Sequence, residues 1–320
     1  MTNALPEISY ILWGIEANYP SATSDTEPAT TCDRFFWATQ SLSDANKDNL
    51  FKVYSIAGGR DIQSVVNGRF ESTITIEALL TNLQTPWQLV LGSLTGAGPY
   101  TATATNTLPS FAVEVGYKDF LGNMKRVKFH GCKLNSTNVA WGKEGDPVKV
   151  SLEIYAQKFW INDTLQTPTA PTTAPYVGYE ATHEFPQSTT LTGVQNFSLS
   201  IAHNLFKQED TSSRFIIDLI ERKRDYTYQL SQFANSGTGI AILQQFMGSN
   251  SVVSQSATVT AVSGRLTLRR SATDQIVITF PASSVFVEDH SMPLDISGDL
   301  SVVSVNGFMS SLTSVAITNS

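Results

Sequence analysis

The chain has 320 residues, a net charge of −7 and a pI near 5.1. That length suits two ordinary domains, each large enough for its own core, and the acidic balance argues against a protein that grips nucleic-acid phosphates through a basic surface. Only 15% of residues are charged, so polarity rests on Ser, Thr, Asn and Gln, a composition suited to sheets that face water or a polar lumen. The two cysteines, Cys32 and Cys132, lie too far apart in sequence for a metal knuckle and read as unpaired thiols. No basic start followed by an apolar run opens the chain, and no apolar run reaches the roughly 18 residues of a membrane span, so a soluble protein made in the cytosol is expected.

In chain order, Ile8 to Tyr19 reads as an apolar strand that Pro20 ends. Residues 20–50 read as a long polar excursion with a short helix at Ser43 to Asp48, and Phe51 to Ile56 as a strand followed by a turn at Gly58-Gly59-Arg60-Asp61. Gly68 to Leu80 carries the clearest signal. Phe70, Ile74, Ile76 and Ala78 alternate with Glu71, Thr73, Thr75 and Glu77, the period of a half-buried strand, with Ser72 the exception on the apolar side. Thr85-Pro86-Trp87 to Gly92 has the punctuation of a short helix, with Thr85 as cap, Pro86 at its first position and Gly92 past its end. Strands follow at Phe111 to Tyr117 and Lys125 to Leu134 around a Gly122-Asn123 turn. Val148 to Tyr155 alternates again, closing a first module over residues 1–161.

Residues 162–182, rich in Pro and Thr, read as an extended linker. A second module is expected over 183–320, because the landmarks return in order. Val194 to Leu205 matches the opening strand. Arg224 to Ser231 repeats the alternation with Tyr226, Tyr228 and Leu230 against Thr227, Gln229 and Ser231. Gly239 to Gly248 stands where the helix was, Phe280 is set against Phe129, and Gly298-Asp299 to Asn306 mirrors Gly145-Asp146 to Glu153.

Little in the sequence points to catalysis. His130, His183, His203 and His290 are scattered without metal-site spacing, and no nucleophile elbow, phosphate loop or Cys-His pair occurs. Glu71 and Glu77 lie about 20 Å apart on an extended strand, too far for an acid and base pair. The reading is of a non-enzyme without metal or cofactor.

The Gly59-Arg60-Asp61 turn before the strand Phe70 to Glu77, the short helix after it, the Lys128-Phe-His-Gly-Cys-Lys-Leu134 and Val148 to Tyr155 strands and the tandem arrangement together resemble the tail tube proteins of long-tailed phages and related archaeal viruses, in particular those with two tube modules fused. The resemblance implies a mainly β fold of two tandem β-sandwich or barrel modules, each with one flanking helix. It also implies trimeric rings of pseudo-sixfold symmetry whose sheets join into a closed β-barrel. Such rings stack into a virion tail tube for genome delivery, alongside tape measure, tail terminator and baseplate or tip proteins, with viral DNA passing unbound.

Six four-stranded sheets would close a barrel about 50 Å across at the backbone, leaving roughly 40 Å clear. Glu71, Thr73, Thr75, Glu77, Ser151, Glu153, Thr227, Gln229, Ser231, Ser304 and Asn306 are the expected lumen residues, a hydroxyl-rich, weakly acidic wall that repels phosphates. Lys149 is expected to pair with a neighbouring carboxylate. Phe35, Phe36 and Trp37 are the expected inter-ring contact, set against the alternative that their loop folds over its own core. Residues 1–7 and 310–320 are further candidates for bridging rings. A carbohydrate-binding or adhesive β-sandwich is the alternative function, which would present Trp and Tyr on an exposed face, whereas Trp87 and Trp141 lie on or beside core patterns.

Overall fold

The computed structural model describes residues 7–24, 26–53, 64–118, 123–142, 145–162, 166–185, 187, 189–233, 261–291, 302–312 and 314–318. Its first half holds β1 (Glu7–Ile15), β2 (Arg34–Phe35), β3 (Ala38–Val53), β4 (Ser64–Leu79), a helix α1 (Trp87–Leu91), β5 (Gly92–Thr95), β6 (Tyr100–Ala104), β7 (Phe111–Lys118), β8 (Met124–Trp141), β9 (Lys149–Ala156) and β10 (Lys158–Asn162). The second holds β11 (Ala181–Glu184), β12 (Val194–Ala202), β13 (Phe206–Gln208), β14 (Asp218–Ile220), β15 (Asp225–Phe233), β16 (Val262–Ser271), β17 (Asp274–Ser291), β18 (Val302–Met309) and β19 (Ser314–Thr318). The fold is mainly β, as expected.

One sheet runs through both halves. Its order is β3-β4-β9-β8-β12-β15-β18-β17, every neighbour antiparallel. The join is β8 with β12, where Phe197 lies opposite Trp141 and Ile201 opposite Thr137. Trp141, Phe197 and His183 pack there with ring centroids 4.7 to 5.4 Å apart. The sheet does not close on itself within one chain; β3 and the second half of β17 are its ends.

Against its apolar face lie two smaller sheets, β2-β1-β7-β8-β10 and β11-β16-β17-β19-β6-β5. The 18-residue strands β8 and β17 serve both layers, each bending between them. The bends fall at positive φ, Gly131 at 61° and Ser283 at 57°, a conformation that lets a strand turn a sandwich corner. Between the layers a single hydrophobic cluster is continuous across both halves, from Trp13 and Ile76 to Phe280 and Ile317.

The two halves pair their strands in the same order: β1-β7-β8-β10 and β3-β4-β9-β8 in the first, β11-β16-β17-β19 and β12-β15-β18-β17 in the second. Even a bulge recurs, between Leu134 and Ser136 against β9 and between Val287 and Asp289 against β18. In this order Val194 to Leu205 corresponds to β3 and not, as its sequence suggested, to the opening strand.

Several sequence readings are corrected here. The polar run Ala38 to Leu50 is neither loop nor helix but strand, continuous with Phe51 to Val53, which were read as strand, because its partner β4 supplies the backbone bonds that its composition alone does not specify. The true excursion is residues 17–33, and it lies across the outer face of β1, β7, β8 and β10. Lys128 Nζ donates to Thr30 O, Lys158 Nζ to Ser24 O, and Arg126 pairs with Glu27 at 3.0 Å. Beneath it Tyr10 donates to Glu114 at 3.0 Å, and Glu16 accepts from His130 at 2.8 Å, all buried.

The Pro/Thr segment is docked, not free: Tyr176 is buried, its N–H reaches Leu80 O and its C=O accepts from Val148 N. Residues 181 and 182 already belong to β11. Within the stretch read as a bridging tail, residues 314–318 form β19, which sits between β17 and β6 with Val315 and Ile317 buried. In α1, Gly92 is left-handed at φ 106° as expected, but the N-cap is Pro86 and Thr85 contributes no side-chain cap. The Gly58 to Asp61 turn, the Gly239 to Gly248 helix, Gly298-Asp299 and residues 1–6 lie outside the described residues. Both cysteines are free and buried.

Candidate lumen surface

The eight-stranded sheet has two unlike faces because its strands keep period two across the whole width. Leu42, Ile76, Leu152, Val139, Leu199, Tyr228 and Val305 face inward. On the opposite face cross-strand neighbours form rows of small polar groups. One row runs Ser41, Glu77, Ser151, Asn138, Ser200, Thr227; another runs Lys149, Ala140, Ser198, Gln229, Asn306. All eleven residues expected on the lumen wall lie on this one face, each half-buried or exposed in the single chain.

Its charges are tied down locally. Glu77 accepts from Ser151 Oγ at 2.7 Å, and Glu153 from Asn135 Nδ2 at 2.7 Å and Ser136 Oγ at 3.2 Å. Lys207 Nζ donates to Glu71 at 3.0 Å, holding that carboxyl below its ordinary range. Lys149 is exposed, and among the described residues no carboxylate lies within ion-pair distance of it, so the expected pairing is absent. Apart from Lys47 and Lys149, which lie on different strands, the hydrogen-bonding groups of this face are neutral or acidic, and its acids repel phosphate.

Sequence reasoning missed the central part of this face: Ser136 and Asn138 on β8, Ser198 and Ser200 on β12, Ser41 and Ser43 on β3. The signal was present, since Ser198 and Ser200 alternate with Leu199 and Ile201. A second missed signal is the tetrapeptide Asn49-Leu50-Phe51-Lys52, repeated as Asn204-Leu205-Phe206-Lys207. Phe51 pairs with Val66 in the β3–β4 hairpin, and Phe206 with Ile220 between β13 and β14.

The aromatic trio does not present a docking surface. Phe36 is 0% and Trp37 1% exposed; Trp37 Nε1 donates to Leu83 O at 3.0 Å, and its ring meets Trp87 edge-on at 5.5 Å. The loop therefore folds over its own core. Phe35 is half-buried, against Tyr10, Leu12, Cys32 and Ala112. Burial in this apolar patch pushes the Cys32 thiol up to about 12. His183 and His203 are held neutral by burial, their pKa lowered to about 3. Among the described residues no group of three His, Cys, Asp or Glu could hold a metal, and no helix is long and apolar enough to cross a membrane.

A family model described as phage tail tube protein matches residues 9–299. The chain belongs to the phage tail tube protein family. It is thus a structural tail protein of a virion, of a family that self-associates into a tube and is not one of enzymes. Comparison with curated proteins gives no match.

Proposed function

We propose that this chain is two tube modules in tandem, residues 1–161 and 183–320 joined by 162–182, and that three copies close a ring whose wall is the polar face described above. The recurrent pairing order, the repeated bulge and the Asn-Leu-Phe-Lys repeat support the tandem reading. The observation that carries the ring is the eight-stranded sheet itself. Three such sheets joined end to end make a barrel of 24 strands, about 50 Å across at the backbone. Closure satisfies the open backbone groups of β3 and β17, which are otherwise an aggregation hazard.

Glu71, Thr73, Thr75, Glu77, Ser151, Glu153, Thr227, Gln229, Ser231, Ser304 and Asn306 then line the bore. Rings stack into a passive conduit through which the genome leaves without specific binding. Tape measure, tail terminator and baseplate or tip proteins are the expected partners at assembly, after synthesis in the host cytoplasm. An adhesive module fits less well: four of the five tryptophans, Trp13, Trp37, Trp87 and Trp141, are buried and the fifth, Trp160, is half-buried. The test is electron microscopy of the purified protein. Rings or tubes of uniform bore support the proposal; a monodisperse monomer at high concentration that binds glycans supports the alternative.

A further inference from the structure

The contact between the two halves within one chain is a template for a contact between chains. In the first half, Lys133 and Tyr155 stand opposite each other on β8 and β9, with Thr73 beside Tyr155 on β4. The segment 203–221 of the second half covers them. Lys133 Nζ donates to Leu219 O at 2.6 Å and pairs with Glu221 at 3.1 Å. Leu205 enters a cluster with Leu108, Ile216 and Leu219 against Tyr155. Lys207 lies 4.5 Å over the Tyr155 ring and donates to Glu71. So the second Asn-Leu-Phe-Lys copy is the piece that fastens one half to the other.

The second half has the same site uncovered. Phe286 and Phe308 stand opposite each other as Lys133 and Tyr155 do, with Thr227 beside Phe308. Their rings stack at 5.0 Å on the polar face of the sheet, and Phe308 is 42% exposed. Asp225, two residues before Thr227, occupies the place of Glu71. It is bonded to Asn204 and to Lys223, whose side chain is largely exposed and free to swing away. The first Asn-Leu-Phe-Lys copy is uncovered too: Leu50, Val65 and Val66 at the outer end of the β3–β4 hairpin are 51 to 53% exposed. An apolar surface on one half and an apolar hairpin on the other, both without a partner among the described residues, fit each other between copies.

We infer that the β3–β4 hairpin of one copy docks on the second half of the next in the register that β12 and the 203–221 segment use internally. This rests on the ring reading and supplies its contact. Leu50 meets Phe286 and Phe308 of the next copy, as Leu205 meets Tyr155, and Lys52 meets its Asp225, as Lys207 meets Glu71. On the strands themselves, Ala202 lies opposite Ser136; the corresponding residues are Lys47 on β3 and Asp289 on β17, both exposed. Opposite charges therefore face each other across the joint, a favourable cross-strand pair. The contact is head-to-tail, the kind that generates a ring when its rotation closes.

The test uses the full chain under conditions where the wild type forms rings. Lys47→Cys combined with Asp289→Cys should oxidise to covalent oligomers on a non-reducing gel, since directly opposite strand residues lie within disulfide reach and both native thiols are buried. The register-shifted pair Ala45→Cys with Asp289→Cys should not. Lys52→Glu or Asp225→Lys alone should raise the concentration needed for assembly by roughly tenfold or more, and the double exchange should restore it. Wild-type rings that form while the charge variants assemble unchanged, or the shifted pair cross-linking in place of the in-register pair, overturn this contact and leave the tube reading standing. A wild type that forms no rings overturns the tube reading, and the contact with it.

Discussion

Trp37 decides whether the aromatic trio belongs to the core or to an arm. In Trp37→Ala the chain loses a fully buried indole, its edge-on packing on Trp87 and the donor to Leu83 O. Truncating a buried aromatic to Ala costs about 3–5 kcal/mol, and the orphaned carbonyl adds about 1 kcal/mol. At about 2.1 cal/mol/K of unfolding entropy per residue, 1 kcal/mol moves the melting temperature of a chain this size by roughly 1.5 °C, so the variant should melt at least about 6 °C below wild type, with lower near-ultraviolet ellipticity. The assay is thermal denaturation of the unassembled protein followed by circular dichroism. Phe35→Ala, which empties only a half-buried position, should cost less than half as much. If Trp37→Ala melted within about 2 °C of wild type yet failed to stack rings, the core assignment would be refuted and the arm reading restored.

Three further outcomes follow. Gly14→Ala should destabilise strongly, because the added Cβ would stand 1.9 Å from Thr31 O where the 17–33 segment crosses β1; a loss of at least about 2 kcal/mol in chemical denaturation is expected. His183 binds a proton in the unfolded state near pH 6.5 but in the folded state only near 3, so stability falls as pH drops through that window. For this one group the loss is about 1.6 kcal/mol between pH 6.5 and 5; His203, lowered likewise, adds a similar slope, so His183→Phe should remove about half of it in urea titrations at several pH values. Replacing Thr75 and Gln229 by lysine should leave assembly intact but make tubes retain short duplex DNA at low salt, released as salt rises. Wild-type tubes should retain none at either salt.

The apolar side of each sheet was legible because burial enforces period two: Phe70 to Ala78, Val148 to Tyr155 and Arg224 to Ser231 all have the faces that their alternation implied. The strand β3 was not legible. Between Gln40 and Asn49 Leu42 is the one large apolar residue, too little to show an alternation, and only its ladder with β4, set by tertiary pairing, makes it a strand. That one misreading displaced the alignment of the halves, matching β12 to β1 and hiding the Asn-Leu-Phe-Lys repeat. The aromatic trio misled for a related reason. Surrounded by polar sequence, Phe36 and Trp37 carry no periodic signal, yet they fill the core beside α1. The buried pairs that fasten the 17–33 segment were invisible because Arg126, Lys128 and His130 alternate on β8 as any solvated face would, and their partners Glu27, Thr30 and Glu16 lie about a hundred residues away.

The most direct test of the account is a cryo-EM reconstruction of the assembled protein at side-chain resolution. The account predicts three chains per ring and a 24-stranded inner wall on which Glu77, Ser151, Ser200 and Gln229 of every copy point into an open bore. A map that set those residues against packed protein, or on the outside of the particle, would contradict it.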